Sequence, residues 1–356
     1  MKIGIVTVPD SANFGSFLQA FSLKLVVEEM GHEAVFLETR EKEYIKKIYV
    51  NWRPRKNHLK HPIQFLRKNL NGSKKMHKFQ IDQRRLEIRS QRDNEKFDLY
   101  LLGSDEIWNV CTEVFRRPIF YGKGMHPVAA YAVSAGNAGY EDFLKYPDVI
   151  ENIKGIPDIL VRDMNTRRIV ERIKHIPPSV VCDPTLLVPA ELLKEPYEDV
   201  FLLENPYLLI YLYPGSVSKE AVNSIRKLAH KAGWKLVSVG FWNGWCDYNV
   251  TCRPLEFSSI LEGAEAVMTG TFHGTIFSIL NRKRFISIGL TLKVRELLEQ
   301  LGLSDRYIEK KDVSENLLEK KIMTEAVDYN EIEQKMEELR ANSLKLLKGV
   351  LHKYDC

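Results

Sequence analysis

Residues 1–37 read MKIGIVTVPDSANFGSFLQAFSLKLVVEEMGHEAVFL, and this stretch decides the fold class. Residues 2–8 are a short apolar run of strand length. Pro9 to Ser16 is a polar loop that contains Asn13 and Gly15. From Phe17 to Met30 the residues Phe17, Leu18, Phe21, Leu23, Leu25 and Val26 recur at helical spacing. Gly31 is placed to end that helix, and Ala34-Val35-Phe36-Leu37 supplies a second strand. A strand, loop, helix and strand in this order open a parallel α/β sheet.

The same alternation runs on through the chain. Strand patterns occur at Phe97–Leu102, Val128–Ser134 and Ile159–Arg162, with a helix from about Met164 and a short strand, Val180–Cys182, that ends at Asp183-Pro184. A second series begins near Pro206. It predicts strands at Leu208–Tyr213, Lys235–Val239, Ala266–Thr269 and Phe285–Ile288, and helices at Lys219–Ala232, Pro254–Glu262, Gly274–Leu280 and Lys293–Leu301. The expected architecture is therefore α/β, with two doubly wound, Rossmann-like domains facing a cleft. Residues 1–195 form the first, with a basic insertion at about 40–92, and residues 196–329 form the second, the donor-binding one. A long charged helix from Asn330 is expected to return residues 330–356 to the first domain. Ligands of such sheets bind beyond the carboxyl ends of the strands, so the informative residues belong in the loops that follow them.

Composition narrows the class. The 356 residues are 44% hydrophobic and 28% charged, which excludes a disordered or collagen-like chain. No apolar run reaches the roughly 18 residues of a membrane span. The first residues lack the apolar length and small-residue cleavage site of a signal peptide, so a cytoplasmic location is expected. Five scattered cysteines suit free thiols, and no Cys or His lies near Cys246 and Cys252 to complete a metal site. No metal and no resident cofactor are expected.

The net charge of +5 is unevenly spread. Between Arg40 and Arg92, 17 Lys and Arg stand against 4 Asp and Glu, a surplus of 13 that leaves the rest of the chain at −8. Tyr44, Tyr49, Trp52, Phe65 and Phe79 lie among these cations. No nucleic-acid-binding motif accompanies them, so no nucleic acid partner is expected. An anionic membrane surface, or an anionic lipid-linked substrate, is the functional reading, with attachment at the inner face of the membrane. A merely solvated insertion is the competing one.

Four loops carry candidate chemistry. Asn13-Phe14-Gly15-Ser16 precedes a helix, where free N–H groups and the dipole favour an anion. Gly103-Ser104-Asp105-Glu106-Ile107-Trp108-Asn109 follows a strand and combines acids, a hydroxyl and an amide beside an aromatic, as a sugar site requires. Thr269-Gly270-Thr271-Phe272-His273-Gly274-Thr275 joins a buried strand to a helix, and there the dipole disfavours protonation of His273 and leaves it able to act as a base. Arg162 ends a strand and suits a carboxylate or phosphate, with Arg295 a weaker candidate. The aromatic loop at Trp242 and Trp245 reads equally as a stacking surface or as packing. The absence of a Walker loop, a Gly-x-Ser-x-Gly elbow, His-Glu-x-x-His and Gly-x-Gly-x-x-Gly removes support for ATPases, serine hydrolases, zinc proteases and Rossmann dehydrogenases.

Taken in order, NFGSFLQAFSLKLVVEEMGHEAVFL (13–37), FDLYLLGSDEIWN (97–109), AAYAVSAG (129–136), LVRD (160–163), VCDPTLLV (181–188), AEAVMTGTFHGTIFSI (264–279) and RELLEQLGLSDRYI (295–308) resemble the polysaccharide pyruvyl transferase family. The resemblance implies a fold like that of the two-domain GT-B glycosyltransferases. It implies transfer of pyruvate from phosphoenolpyruvate, a co-substrate, to a sugar diol, giving a cyclic ketal in bacterial surface polysaccharide synthesis. On that basis His273 and Asp105 are expected to be catalytic. Arg162, Thr271, Phe272, Gly274 and Arg295 would hold the donor, and Asn13, Gly15, Ser104, Trp108 and Asn109 the acceptor. Family members often carry Ser or Arg where this chain has Thr271, which leaves another cation, Arg162 or Arg295, to meet the donor. A 4,6-ketal on a lipid-linked galactose is the acceptor reading. The rival readings are a GT-B glycosyltransferase that uses a nucleotide sugar and a non-enzymatic binding module.

Overall fold

The chain folds around two parallel sheets, seen in a computed structural model that describes residues 1–9, 11–39, 62–89, 96–198, 205–289 and 291–355. The first sheet contains β1 (Lys2–Val6), β2 (Glu33–Leu37), β3 (Ile88–Arg89), β4 (Leu99–Leu102), β5 (Val128–Val133), β6 (Asp158–Val161) and β7 (Ser179–Val180) in the order β3-β2-β1-β4-β5-β6-β7. The second contains β8 (Tyr207–Tyr211), β9 (Lys235–Val239), β10 (Tyr248–Val250), β11 (Ala266–Thr269), β12 (Arg284–Ile288) and β13 (Tyr307–Ile308) in the order β10-β9-β8-β11-β12-β13. Strands such as Val128–Val133 and Ala266–Thr269 are buried along their whole length, as parallel strands covered on both faces must be. Register is fixed on both sides of β1, with Ile3 opposite Ala34 and Leu99.

The main helices are α1 (Phe14–Glu29), α2 (Pro62–Gln83), α3 (Pro147–Gly155), α4 (Met164–Lys174), α5 (Lys219–Ala232), α6 (Phe257–Glu262), α7 (Phe272–Leu280), α8 (Leu292–Gln300) and α9 (Tyr329–His352). α1 starts three residues earlier than its apolar spacing indicated, because Asn13 caps it: the Asn13 side chain accepts from the Gly15 N–H. Thirteen of its sixteen residues are buried, so it is an interior helix between the sheets rather than a surface one. One apolar core runs from α1 and the first sheet through Phe257 and Phe277 to Leu347 and Leu351 on α9. Separate clusters cover the far face of each sheet.

Each sheet reverses its strand order once, between β1 and β4 and between β8 and β11. The loops that leave β4 and β11 therefore open at the two crevices, and these carry Asp105 and His273. Three features hold the halves together. Phe14, at the start of α1, stacks on Phe79 of α2 at 4.9 Å and on Phe257 of α6 at 4.7 Å. α2 lies against the second half through Asn71 to the Asn249 carbonyl (3.1 Å), Lys75 to the Gly240 carbonyl (2.8 Å) and Lys78 to the Thr251 carbonyl (2.9 Å). α9 begins beside the second sheet, where Glu333 pairs with Arg282, and ends beside the first, where Tyr354 donates to Asp158.

β3, β10 and β13 were not anticipated from the sequence. Strands of two or three residues at sheet edges carry too little alternation to read. In the aromatic loop, Trp245 packs against the core cluster of the second sheet. Of the basic insertion, residues 40–61 and 90–92 lie outside the described residues. Among the described residues no helix is long and apolar enough to cross a membrane.

Phe14→Ala should cost about 3–5 kcal/mol, as for other buried aromatic truncations. Because the ring joins the two halves, urea unfolding of the variant should also lose its single transition. An unchanged single transition with a loss below about 1 kcal/mol would show that Phe14 does not couple them.

Candidate active site

His273 is placed by its helix. Thr271 is the N-cap of α7, and its hydroxyl accepts from the Gly274 N–H at 2.9 Å. Thr269 in turn accepts from the Thr271 N–H at 3.1 Å. His273 then falls in the first turn of α7 and points out of the second half towards the first. Its ring lies on the backbone of Gly15: a Cβ added there would come within 2.0 Å of His273 Nδ1. Gly15 was expected to line the acceptor site. Its absent side chain instead lets the two halves close.

On the other side of the ring, Nε2 stands 3.4 Å from Asp183 Oδ2. Asp183 is fully enclosed and accepts from Arg162 Nη1 at 2.7 Å and from the Thr185 hydroxyl at 2.7 Å. Burial alone would raise its carboxyl, but His273, Arg162 and the Thr185 bond hold it far below the usual carboxylate range. Sequence reasoning overlooked Asp183. The available signal was an Asp-Pro step at the carboxyl end of a strand, the same kind of position that singled out Arg162.

Asp105 sits at φ +82°, an uncommon conformation for a residue with a side chain, in the turn that leaves β4. Its Oδ2 accepts from Ser16 on α1 at 2.8 Å, and its Oδ1 lies 3.7 Å from Arg162 Nη2. Burial pushes this carboxyl up, while Arg162, His273 and Lys293 outweigh burial and leave it below the ordinary value. Arg162 thus lies between two aspartates and under the Phe272 ring, 4.8 Å from its centroid. Its Nε and Nη2 have no hydrogen-bond partner. The guanidinium is buried behind the cleft wall, not exposed in it, which revises its expected role as a direct clamp.

The cleft in front of these residues has a volume of about 760 Å³. Asp105, Glu106, Asn13 and Ser16 line it from the first half, and Thr271, Phe272, His273 and Lys293 from the second. Lys293 donates to Glu106 across the gap and lies 5.3 Å from the Phe272 centroid. Burial would raise the Glu106 carboxyl, but Lys293 holds it down. Lys293, which the sequence analysis did not single out, is the cation of α8 that lines the cleft. Arg295, two residues on and so about 200° around the helix, points away and pairs with Glu309 at 2.5 Å.

Other expected contacts also fall elsewhere. Trp108 is fully buried, and its indole N–H donates to the Phe120 carbonyl at 2.8 Å. It packs in the core of the first sheet, so it is not an acceptor platform. Ser104 is buried, and its carbonyl accepts from Thr7. Asn109 donates to Glu106 at 3.2 Å and steadies that carboxylate without lining the cleft. Gly274 gives a close passage for the helix: a Cβ there would meet Thr269 Oγ1 at 2.1 Å. Among the described residues no cluster of His, Cys, Asp and Glu has the form of a metal site.

A model of the polysaccharide pyruvyl transferase family matches residues 13–291, which take in both crevice loops. The chain belongs to this family of transferase enzymes. No curated protein matched the sequence. Among solved structures, the UDP-N-acetylglucosamine 2-epimerase of Rickettsia bellii is 12% identical over 99% of this chain and 96% of its own, with a TM-score of 0.56. The UDP-GlcNAc 2-epimerase of Methanocaldococcus jannaschii, solved with UDP-GlcNAc and UDP, is 12% identical over 96% of this chain and 100% of its own, with a TM-score of 0.52. The glycosyltransferase SnogD of Streptomyces nogalater is 10% identical over 99% of each chain at a TM-score of 0.47. At these identities the likeness is one of fold, and the fold is GT-B-like.

Two outcomes follow for the buried charges. Asp183→Asn leaves Arg162 short of an opposing charge and should cost about 3–5 kcal/mol. The folded Asp183 carboxyl lies below its unfolded value of about 4, so its stabilisation is complete above that pH and is lost as pH falls towards the folded value. Urea titrations should therefore show a level gap between wild type and variant from about pH 5 to 7 and a narrowing gap in acid. A gap that widens in acid would contradict this charge assignment.

Proposed function

We propose that this enzyme moves pyruvate from phosphoenolpyruvate to two hydroxyls of a sugar, forming a cyclic ketal and releasing phosphate. The acceptor is a surface-polysaccharide precursor, a lipid-linked galactose in the specific form of the proposal. The supporting observation is the convergence on one cleft of an acid from the first half, Asp105, with an imidazole, a hydroxyl and an ammonium from the second, His273, Thr271 and Lys293.

The chemistry assigns the roles. A proton added to the methylene carbon of phosphoenolpyruvate makes the adjacent carbon electrophilic. One sugar hydroxyl bonds to that carbon and gives up its proton. The C–O bond to phosphate then breaks, and the second hydroxyl closes the ring as its proton leaves. Lys293 and the N-terminal end of α7 supply positive potential for the donor's phosphate and carboxylate. His273 transfers protons at the reacting carbon. Asp105 is held too acidic by its cationic neighbours to be a strong base, so it orients an acceptor hydroxyl instead. Asp183 positions the imidazole. The scheme needs no metal or resident cofactor.

Calorimetry with phosphoenolpyruvate, run beside UDP-sugars, tests the donor. Lys293→Ala should weaken phosphoenolpyruvate about 10- to 100-fold, the worth of one charged hydrogen bond. His273→Ala should lower turnover about 10²–10⁴-fold while donor affinity stays within a few-fold. Loss of affinity in place of turnover would make His273 a phosphate ligand. Binding of a UDP-sugar with no response to phosphoenolpyruvate would replace pyruvyl transfer with glycosyl transfer.

A further inference from the structure

The two faces of α2 have opposite fates. Asn71, Lys75, Lys78 and Asp82 point inward, and each bonds to the second half of the molecule. The outward face is marked by Ile63, Leu66, Leu70, Lys74, His77 and Ile81, spaced by three or four residues, which is one side of a helix. Its apolar side chains are in solvent: Ile63 is 69% exposed, Leu66 59%, Leu70 53% and Ile81 42%. Arg67 and Lys74 are exposed beside them. The one acid of the helix, Asp82, is buried on the inward side, where it holds the Leu255 N–H and Arg253.

A surface helix whose only role is to be solvated has no reason to keep four large aliphatic side chains in water with two cations beside them. Apolar side chains flanked by Lys and Arg with no acid on the same face suit the boundary between lipid headgroups and acyl chains. There the aliphatic groups leave water, and the long basic side chains reach the phosphates. Position supports the same occupant. α2 ends beside the cleft, where Gln83 reaches the carbonyl of Ser11, and Ser11 lines the cleft wall. A bilayer lying along α2 would therefore present a membrane-anchored glycan near the catalytic residues.

We propose that the outward face of α2 is a docking surface for an anionic lipid bilayer, which brings the enzyme to its lipid-linked acceptor. The role given to docking rests on the lipid-linked reading above. The docking itself does not rest on pyruvyl transfer.

The test is flotation of the full chain with vesicles of phosphatidylglycerol and phosphatidylcholine, against vesicles of phosphatidylcholine alone. Binding is expected only to the anionic vesicles, and it should weaken as salt rises. Arg67→Gln/Lys74→Gln should weaken it about 30-fold, at roughly fivefold per cation. Ile63→Ser/Leu66→Ser/Leu70→Ser should weaken it by more than about tenfold, with the fold kept because each of these residues is more than half exposed. Both variants should bind phosphoenolpyruvate as wild type does, which shows that they are folded and separates this proposal from the donor reading. No binding of wild type to anionic vesicles at low salt would overturn the proposal, as would equal binding by the apolar variant. A concentration-dependent dimer that the apolar variant abolishes, with no vesicle binding, would assign the face to a second copy of the chain. If vesicles bind but phosphoenolpyruvate does not, the donor reading fails and the docking surface stands.

Discussion

The structure depends most on the approach of the His273 ring to the backbone of Gly15. No other residue at position 15 leaves room for it, since a Cβ would lie 2.0 Å from the ring nitrogen. The contact joins the first turn of α1 to the first turn of α7, so two helix N-termini converge on one point. Two positive dipole ends repel each other unless negative charge lies nearby. Asp105 supplies it at α1, through Ser16, and Asp183 supplies it at α7, beside His273. Arg162 then lies between the two carboxylates. The site is thus the part of the fold where the two halves can approach only if glycine, acids and arginine are each in place.

Much of the architecture was legible in the sequence because parallel strands buried on both faces read as apolar runs, and helices between them keep a 3.6-residue period. The His273 loop was legible for a related reason: glycines flank a polar residue at a strand-to-helix junction. What failed did so for identifiable causes. Trp108 follows a turn at Asp105 whose positive φ sends the chain back into the core, and residue types alone do not give that direction. Lys293 and Arg295 are equivalent in composition but lie on opposite sides of α8. Asp183 acts through partners distant in sequence, Arg162 just beyond β6 and His273 in the other half.

The basic insertion shows how a charge count divides once packing is known. Lys75 and Lys78 are interior ties whose ammonium groups satisfy loop carbonyls of the second half. Lys75 also faces the rings of Phe14, Phe79 and Phe241 at 5.3–5.6 Å, and burial lowers its pKa to about 8. Composition had read all these cations as one surface feature. The helix instead uses two of them to fix its inner face and leaves Arg67, Lys68 and Lys74 outside.

Within the cleft, too, the cations already have acidic partners. Counting Arg162 and Lys293 against Asp105, Glu106 and Asp183, the described site carries a formal charge of −1 with His273 neutral. A donor with a phosphate and a carboxylate would be repelled by that set as it stands. The two cations differ in what surrounds them. Lys293 is held by Glu106 across the gap, and Arg162 has Asp105 at 3.7 Å, beyond hydrogen-bond distance, with Nε and Nη2 unpartnered. Asp183 lies at 2.7 Å from Arg162 and is fully buried. On the pyruvyl-transfer reading, the donor would enter by displacing Glu106 from Lys293, the cation that lines the cleft, while the buried Arg162–Asp183 pair stays intact. Separation of Lys293 from Glu106 would also loosen the tie between the halves, so donor entry and cleft opening would be one electrostatic event.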